Sequence, residues 1–332
     1  MNPAGRIRWL RTGVPLLLSA LLSLSCGTGG TDFAGGGTGG TGISTGSVSG
    51  FGSVVVNDVH FHTDNEVAPG FLTKKISNGA DNSRRMDRDV FAVGMIVAVR
   101  HGTGDNNARV IEYRDNLRGP IAVLASGGDN IVEILGQTVV VGDAAIYASL
   151  KRDDIVEVSG FVDNAGRIRA TYIYPVPPPL PPHAQEFEVK GFVSGSTLSG
   201  FRLGPLPDGS GTTVMVSYPP GGPANGTYVQ IVTTDRAPVG GIIAAARIES
   251  LAARTEFPDG ASVDLAGLVT TPWTGSGNDL SFEVEGKRVV WEEAGTVFVG
   301  GTRNDARQSN RKVQVQGLEN GGILSAARIV FR

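Results

Sequence analysis

Val156-Glu157-Val158-Ser159-Gly160-Phe161-Val162-Asp163-Asn164-Ala165-Gly166-Arg167-Ile168-Arg169-Ala170-Thr171-Tyr172-Ile173-Tyr174 reads as two strands around a tight turn. Val156, Val158 and Gly160 alternate with Glu157 and Ser159, which puts one set of side chains inward and the other in water. Asp163-Asn164-Ala165-Gly166 supplies the turn, and Gly166 is free to take a positive φ. On the return strand Ile168 and Ala170 share a face. Ile173 lies three residues beyond Ala170, out of phase, so a bulge near Thr171 is predicted to restore the inward direction.

The same spacing recurs. A Gly is followed by Ala at four residues and Ile at seven, as Gly104/Ala108/Ile111, Gly166/Ala170/Ile173, Gly241/Ala245/Ile248 and Gly322/Ala326/Ile329. An aliphatic residue, any residue and a Gly open each unit: Val48-Ser49-Gly50, Leu117-Arg118-Gly119, Val189-Lys190-Gly191 and Leu265-Ala266-Gly267. From opening Gly to hairpin Gly is roughly 50 residues each time, a repeat long enough for one small domain. Four units are therefore expected, over 47–116, 117–175, 186–251 and 252–332, with a Pro-rich linker over 176–185 after the second. They are read as two consecutive pairs, split by that linker.

Composition agrees with an all-β chain. Hydrophobic residues make up 40% and charged residues 18%, a globular balance. The 48 Gly cluster in one stretch or recur at turns, and Val, Ile, Thr and Phe alternate nearly everywhere. The units suit small five-stranded barrels of the OB type.

The N-terminus reads as an export signal over residues 1–26. Arg6, Arg8 and Arg11 form a basic region, Val14 to Leu24 a short apolar core, and Ser23-Leu24-Ser25 leads into Cys26. The apolar core is too short to span a bilayer as a helix. Cys26 is the single Cys of the chain. Small Ser25 before it, with Leu24 and Leu22 upstream, resembles a bacterial lipobox, with Ser23 where Leu is commonest. Cleavage between Ser25 and Cys26, and acylation of Cys26 by palmitate-type chains, would give a stable membrane anchor. Gly27 rather than Asp follows, which favours the outer membrane. Residues 27–46 read as a Gly/Thr-rich tether. Gly37-Thr38-Gly39-Gly40-Thr41-Gly42 matches G-x-G-x-x-G but lacks the preceding strand and following helix a dinucleotide site needs. No cofactor is expected.

Losing the three signal arginines takes the balance from 29 basic and 32 acidic residues to 26 and 32, or −6. That balance argues against nucleic acid as a partner. His60 and His62 stand two apart on a predicted strand and so share a face, the spacing of paired metal ligands. His101, Asp64 and Glu66 are the candidate third ligands. The long stretch from Asp64 to Asp89 interleaves Arg84, Arg85 and Arg88 with Asp81, Asp87 and Asp89, either a solvated loop or a clamp for an acidic ligand. Trp291 closes a strand and reads as core, or, if exposed, as a sugar-stacking platform. Asp153-Asp154 reads as turn chemistry. The chain carries no P-loop, HExxH or CxxC, so no catalytic residue is assigned and a non-enzymatic role is expected.

The order of Cys26, tether and a first strand Gly46-Ser47-Val48-Ser49-Gly50-Phe51-Gly52-Ser53-Val54-Val55-Val56-Asn57 resembles an uncharacterised repeat domain, a domain of unknown function, of Gram-negative bacterial lipoproteins. Val93-Gly94-Met95-Ile96-Val97, Leu135-Gly136-Gln137-Thr138-Val139 and Val156 to Phe161 carry the resemblance further, more closely over 41–175 than over 186–332. His60 and His62 depart from it, standing where a basic and an acidic residue are expected. The resemblance implies tandem OB-like barrels and no catalytic residues. The expectation is a lipid-anchored envelope protein, in the outer membrane and facing the periplasm or the surface, that binds a protein or polysaccharide. The alternatives are a metal-binding protein using His60 and His62, or an OB-type oligonucleotide binder.

Overall fold

Each run of alternating apolar residues becomes a strand, and five strands close on themselves four times over. The computed structural model describes residues 41–102, 104–176, 186–218, 221–275 and 280–332. The stretch read as a signal with Ser25 and Cys26, the stretch read as a tether up to residue 40, and residues 177–185 of the expected linker lie outside the described residues.

Barrel one holds β1 (Thr41–Gly50), β2 (Val54–Val56), β3 (Val59–Phe61), β4 (Lys74–Ser77), β5 (Ala80–Asp81), the short helix α1 (Asp87–Val90), β6 (Ile96–Gly102) and β7 (Ala108–Tyr113). Barrel two holds β8 (Leu117–Ser126), β9 (Asn130–Ile134), β10 (Gln137–Val141), α2 (Ala144–Ser149), β11 (Ile155–Val162) and β12 (Ile168–Pro175). Barrel three holds β13 (Phe187–Ser194), β14 (Gly200–Gly204), β15 (Val214–Ser217), β16 (Tyr228–Thr233), β17 (Ile242–Ala244) and β18 (Arg247–Ser250). Barrel four holds β19 (Ser262–Thr271), β20 (Ser281–Val284), β21 (Lys287–Trp291), β22 (Val297–Val299), β23 (Lys312–Asn320) and β24 (Ile323–Phe331).

Barrel two shows the pattern in its simplest form. β8 pairs with β9, β9 with β10, β10 in parallel with β12, β12 with β11, and β11 back with β8. First strand to second, third, fifth, fourth and back to first is the strand order of an OB barrel. The other three barrels repeat it. In barrel one β7 runs parallel first to residue 62 and then to β4. In barrel four β24 likewise runs parallel to β21 and then β22. The third strand is thus split in barrels one and four.

The out-of-phase Ile is explained by a bulge in the last strand. In barrel two Ser159 faces Tyr172 and Gly160 faces Ala170, which leaves Thr171 as the extra residue. The ladder slips one residue at Arg109 in barrel one and at Ala327 in barrel four. In barrel three the strand breaks between β17 and β18, at Ala245 and Ala246. Each bulge comes right after, or at, the recurring Ala, which is how both Ala108 and Ile111, or Ala326 and Ile329, are buried despite their odd spacing.

The pairing of barrels differs from the consecutive pairs expected. β1 of barrel one pairs in parallel with β19 of barrel four, from Gly42↔Ser262 to Thr45↔Leu265. β8 of barrel two pairs antiparallel with β13 of barrel three, at Leu117↔Val189 and Arg118↔Glu188. The order is therefore nested, one with four and two with three. The reason is that the first half of each first strand has an open edge, and another first strand satisfies it. This also moves the end of the tether. β1 starts at Thr41, so residues 41–46, read as tether from their Gly and Thr content, form a strand held between β6 and β19.

A small apolar cluster of Ile96, Phe161, Ala266 and Leu268 joins barrels one, two and four. A larger one runs without interruption through barrels two and three.

Gly160 sits opposite the bulge, where an added Cβ would lie 2.4 Å from the Arg169 carbonyl oxygen. Gly160→Ala is therefore expected to cost about 1–3 kcal/mol in urea unfolding. Gly127→Ala, where a Cβ meets nothing within 4 Å, is the control and should stay within about 0.5 kcal/mol of the parent.

Candidate functional site

The segment after β3 is not a bare loop. Its centre is Lys75 on β4, whose side chain is 0% exposed. A buried ammonium must be paired. Lys75 forms an ion pair with Asp64, lies 2.9 Å from Asp87 Oδ1, and donates to the Arg85 carbonyl at 2.7 Å. Burial acts to lower its pKa, but the hydrogen bonds and charges of Asp64 and Asp87 outweigh it and raise the pKa, so Lys75 stays charged. Thr63 Oγ1 donates to Asp87 Oδ2 at 2.5 Å, and Thr73 Oγ1 to the Ala108 carbonyl at 2.7 Å. These bonds tie the segment 63–89 to the barrel wall.

Between this segment and the turn after β1 lies an open cleft of about 440 Å³, lined by Phe51, Gly52, Thr63, Asp64, Glu66, Met86, Asp87 and Arg88. Phe51 is half-buried and packs on the barrel-one core, while Met86 is 68% exposed. The lining offers an aromatic ring, a thioether, a hydroxyl, three carboxylates and one guanidinium. Two of the carboxylates are already committed to Lys75, and Glu66 uses its Oε2 for the Thr63 N–H at 3.3 Å and for His62, which leaves Glu66 Oε1 and Arg88 as the charged groups turned to a ligand.

The sequence-derived candidates separate as follows. His60 and His62 do share the outer face of β3, but they do not act together. His60 Nδ1 is 3.1 Å from Ser53 Oγ, and His62 Nδ1 is 3.6 Å from Glu66 Oε2. His101 packs its ring on Phe61 at 5.1 Å, with Nδ1 2.9 Å from the Gly102 carbonyl oxygen. Among the described residues no group of three or more His, Cys, Asp or Glu comes together to hold a metal ion. The metal reading of His60 and His62 is thereby corrected, because each ring is taken by a different neighbour. Arg84, Arg85 and Arg88 are exposed and only Arg88 lines the cleft, so they form no three-armed clamp. Trp291 is 4% exposed, edge-on to Trp273 at 5.2 Å and to Phe282 at 5.7 Å. It is core, not a sugar platform. Asp153 has φ +70° and Asp154 Oδ2 accepts from the Lys151 N–H at 2.9 Å, the expected turn.

Sequence reasoning missed Lys75. Nothing in Thr73-Lys74-Lys75-Ile76-Ser77 marks which of two adjacent lysines turns inward. The only signal is the alternation itself, which puts Thr73, Lys75 and Ser77 on one face.

Residues 118–174 and 266–330 match the model of a domain of unknown function, DUF5666. The two matched stretches are barrels two and four, almost end to end. The resemblance was expected to be closest over 41–175. The match covers barrel two within that range but neither barrel one nor, further on, barrel three. No curated protein matches the chain.

Removing the Lys75 charge leaves Asp64 and Asp87 facing each other without a counter-ion, a loss of about 3 kcal/mol or more for a buried pair. Lys75→Met should therefore open the segment 63–89 to cleavage after Arg84, Arg85 and Arg88 under native conditions. Barrels two to four should keep their protease resistance.

Proposed function

We propose that the chain is a lipid-anchored, non-enzymatic protein of the Gram-negative cell envelope that holds a polysaccharide in the barrel-one cleft. The observation that carries this reading is the segment 63–89, which is longer than the corresponding stretch of barrel four and walls a cleft of ligand size. At about 440 Å³ the cleft falls within the roughly 300–1,000 Å³ of small-ligand sites. A protein partner needs about 800 Å² on each side, which favours a short glycan segment over a folded protein. Half-buried Phe51 offers a face for a sugar ring. Glu66 and Thr63 accept from hydroxyls, and Arg88 donates to a ring substituent or an acidic sugar. A carboxylate-lined cleft on a chain of mature charge −6 repels a phosphate backbone, so the oligonucleotide alternative is set aside.

The anchor reading rests on the sequence: the basic start, the apolar run and Ser25-Cys26. Replacing Cys26 by Ser should abolish palmitate labelling and leave the precursor uncleaved. Labelling that persists would remove the anchor from the proposal.

The cleft is tested by retention on purified envelope polysaccharide. The parent should be retained, and Phe51→Ala and Arg88→Ala should each lower apparent affinity about tenfold, the loss of one good contact of about 1.4 kcal/mol. Equal retention of the parent and both variants would place binding elsewhere. Failure to bind any glycan, together with in-cell crosslinking to one envelope protein, would favour a protein partner instead.

A further inference from the structure

In the barrel-one cleft the side-chain hydrogens of the floor are turned inward. The Lys75 ammonium has three N–H groups, and three acceptors take them: Asp64, Asp87 and the Arg85 carbonyl. The Thr63 hydroxyl gives its hydrogen to Asp87, and the Thr63 N–H goes to Glu66 Oε2 at 3.3 Å. The Thr73 N–H goes to Asp64 Oδ1 at 3.2 Å. Toward the cleft there remain lone pairs. The side chains of Asp64, Glu66 and Asp87 are 31%, 40% and 18% exposed, while that of Lys75 is 0% exposed. Glu66 Oε1 has no donor among the described residues. Among the lining side chains only the exposed Arg88 still has N–H groups to give.

Sugar substituents differ in what they bring to such a set of acceptors, and specificity is the difference. The carboxylate of a uronic acid brings acceptors only, with a like charge, and has Arg88 alone to pair with. An N-acetyl group brings one N–H together with a carbonyl oxygen that needs a donor, and Arg88 is again the one side chain that can supply it. A hydroxyl brings a single hydrogen. A free, protonated amino group brings three N–H groups, a positive charge and no acceptor. It is the substituent whose every hydrogen finds a lone pair here and which leaves no group of its own unmet.

We propose that the cleft selects hexosamine units whose amino group is free, with Glu66 accepting from the ammonium and Arg88 donating to a ring or hydroxyl oxygen of the same glycan. The proposal rests on the glycan reading of the cleft and narrows it from sugars in general to amino sugars without their acetyl groups. Phe51 and Met86 offer apolar surface to the sugar ring. Glu66 is the carboxylate for the task because it is the most exposed of the three and keeps one oxygen unpartnered. Lys75 does not compete with the ligand, since its side chain is out of solvent and its hydrogens are spent. A hydrogen bond between two charged groups is stronger than one between neutral groups, and at a partly exposed site it weakens with salt.

The test is titration calorimetry of the full chain with three oligosaccharides of equal length: a glucosamine oligomer with all its amines free, its fully N-acetylated form, and an oligouronate. The free amine is expected to bind about tenfold tighter than the acetylated form, and the uronate weakest. Added salt should narrow the first difference. Glu66→Gln keeps an acceptor for the Thr63 N–H and removes the charge. It should bring the preference below about threefold and leave the affinity for the acetylated form unchanged. Glu133→Gln, an exposed carboxylate on β9, is the control for general attraction of a cation to an acidic chain and should keep the parent preference. Acetylated and free forms that bind equally, or a preference that survives Glu66→Gln, would overturn the proposal and leave the glycan reading in place. Binding of none of the three removes the proposal as well, and retention on envelope polysaccharide then decides whether the glycan reading stands.

Discussion

An OB barrel closes on itself, but its first strand is too long to be covered along both edges. In barrel one, residues 41–47 pair with β6 on one side, and only at Val48 does the strand turn to meet β2. The first half of β1 therefore has one row of N–H and C=O groups with no partner inside its own barrel, an edge that invites pairing. The same holds for β19, which pairs with β23 along its first half and meets β20 only near Val269. These two open edges satisfy each other. β8 and β13 solve the problem the same way over a shorter stretch and in the opposite sense. The four-barrel body thus follows from one constraint on the backbone, namely that each leftover edge needs another, and an even number of barrels leaves none over.

How much of this was legible in the sequence depends on distance along the chain. The hairpin, its turn and its bulge are written within about 20 residues, and the phase break between Ala170 and Ile173 located the bulge correctly. The nesting of barrels was not legible, because no local feature of Thr41 to Thr45 names Ser262 to Leu265 as its partner. Composition misled here as well. The Gly and Thr of residues 41–46 look like a tether, yet Gly42 and Gly46 are small because the space is taken. A Cβ on Gly42 would fall 2.2 Å from the His101 ring, and one on Gly46 2.1 Å from the Asn57 side chain. Likewise His60 and His62 were placed on one face by their spacing, but spacing says nothing of Ser53 and Glu66, which take the two rings.

The seams between barrels are polar for a related reason. Barrels two and three share a continuous core, but barrels one and four keep most of their apolar side chains for their own interiors, so the surfaces they present to their neighbours are largely outer faces. The apolar part of the contact among barrels one, two and four is small: the cluster of Ile96, Phe161, Ala266 and Leu268, with Ile43 reaching into the barrel-four core and Tyr172 packing on the barrel-one core. The remainder is backbone groups and side chains such as Asn57, Asn116 and Asn310, which satisfy N–H and C=O groups left by bulges and turns. Asn116 Oδ1 accepts from the Gly160 N–H at 2.9 Å, and Asn310 Oδ1 from the Asn164 N–H at 2.7 Å. Contacts of this kind specify orientation strongly but add little net stability.

Barrels one and four show how such a scaffold gains a site. Both split the third strand, and in both the two pieces run parallel to the last strand. In barrel four the pieces β21 and β22 are joined by five residues, and Trp291 fills the space beneath with Trp273, Phe282 and Phe298 around it. In barrel one the pieces β3 and β4 are separated by residues 62–73, and the chain then adds β5 and α1 before β6. The longer excursion cannot be filled by an aromatic from the wall, so it is held by a single buried ammonium, Lys75, with carboxylates from either end of the segment. A charged pivot holds loops together at their base and leaves their outer ends apart, which is what opens the cleft. The difference between a packed barrel and one with a cleft therefore lies in the connection between two pieces of one strand, and not in the barrel itself.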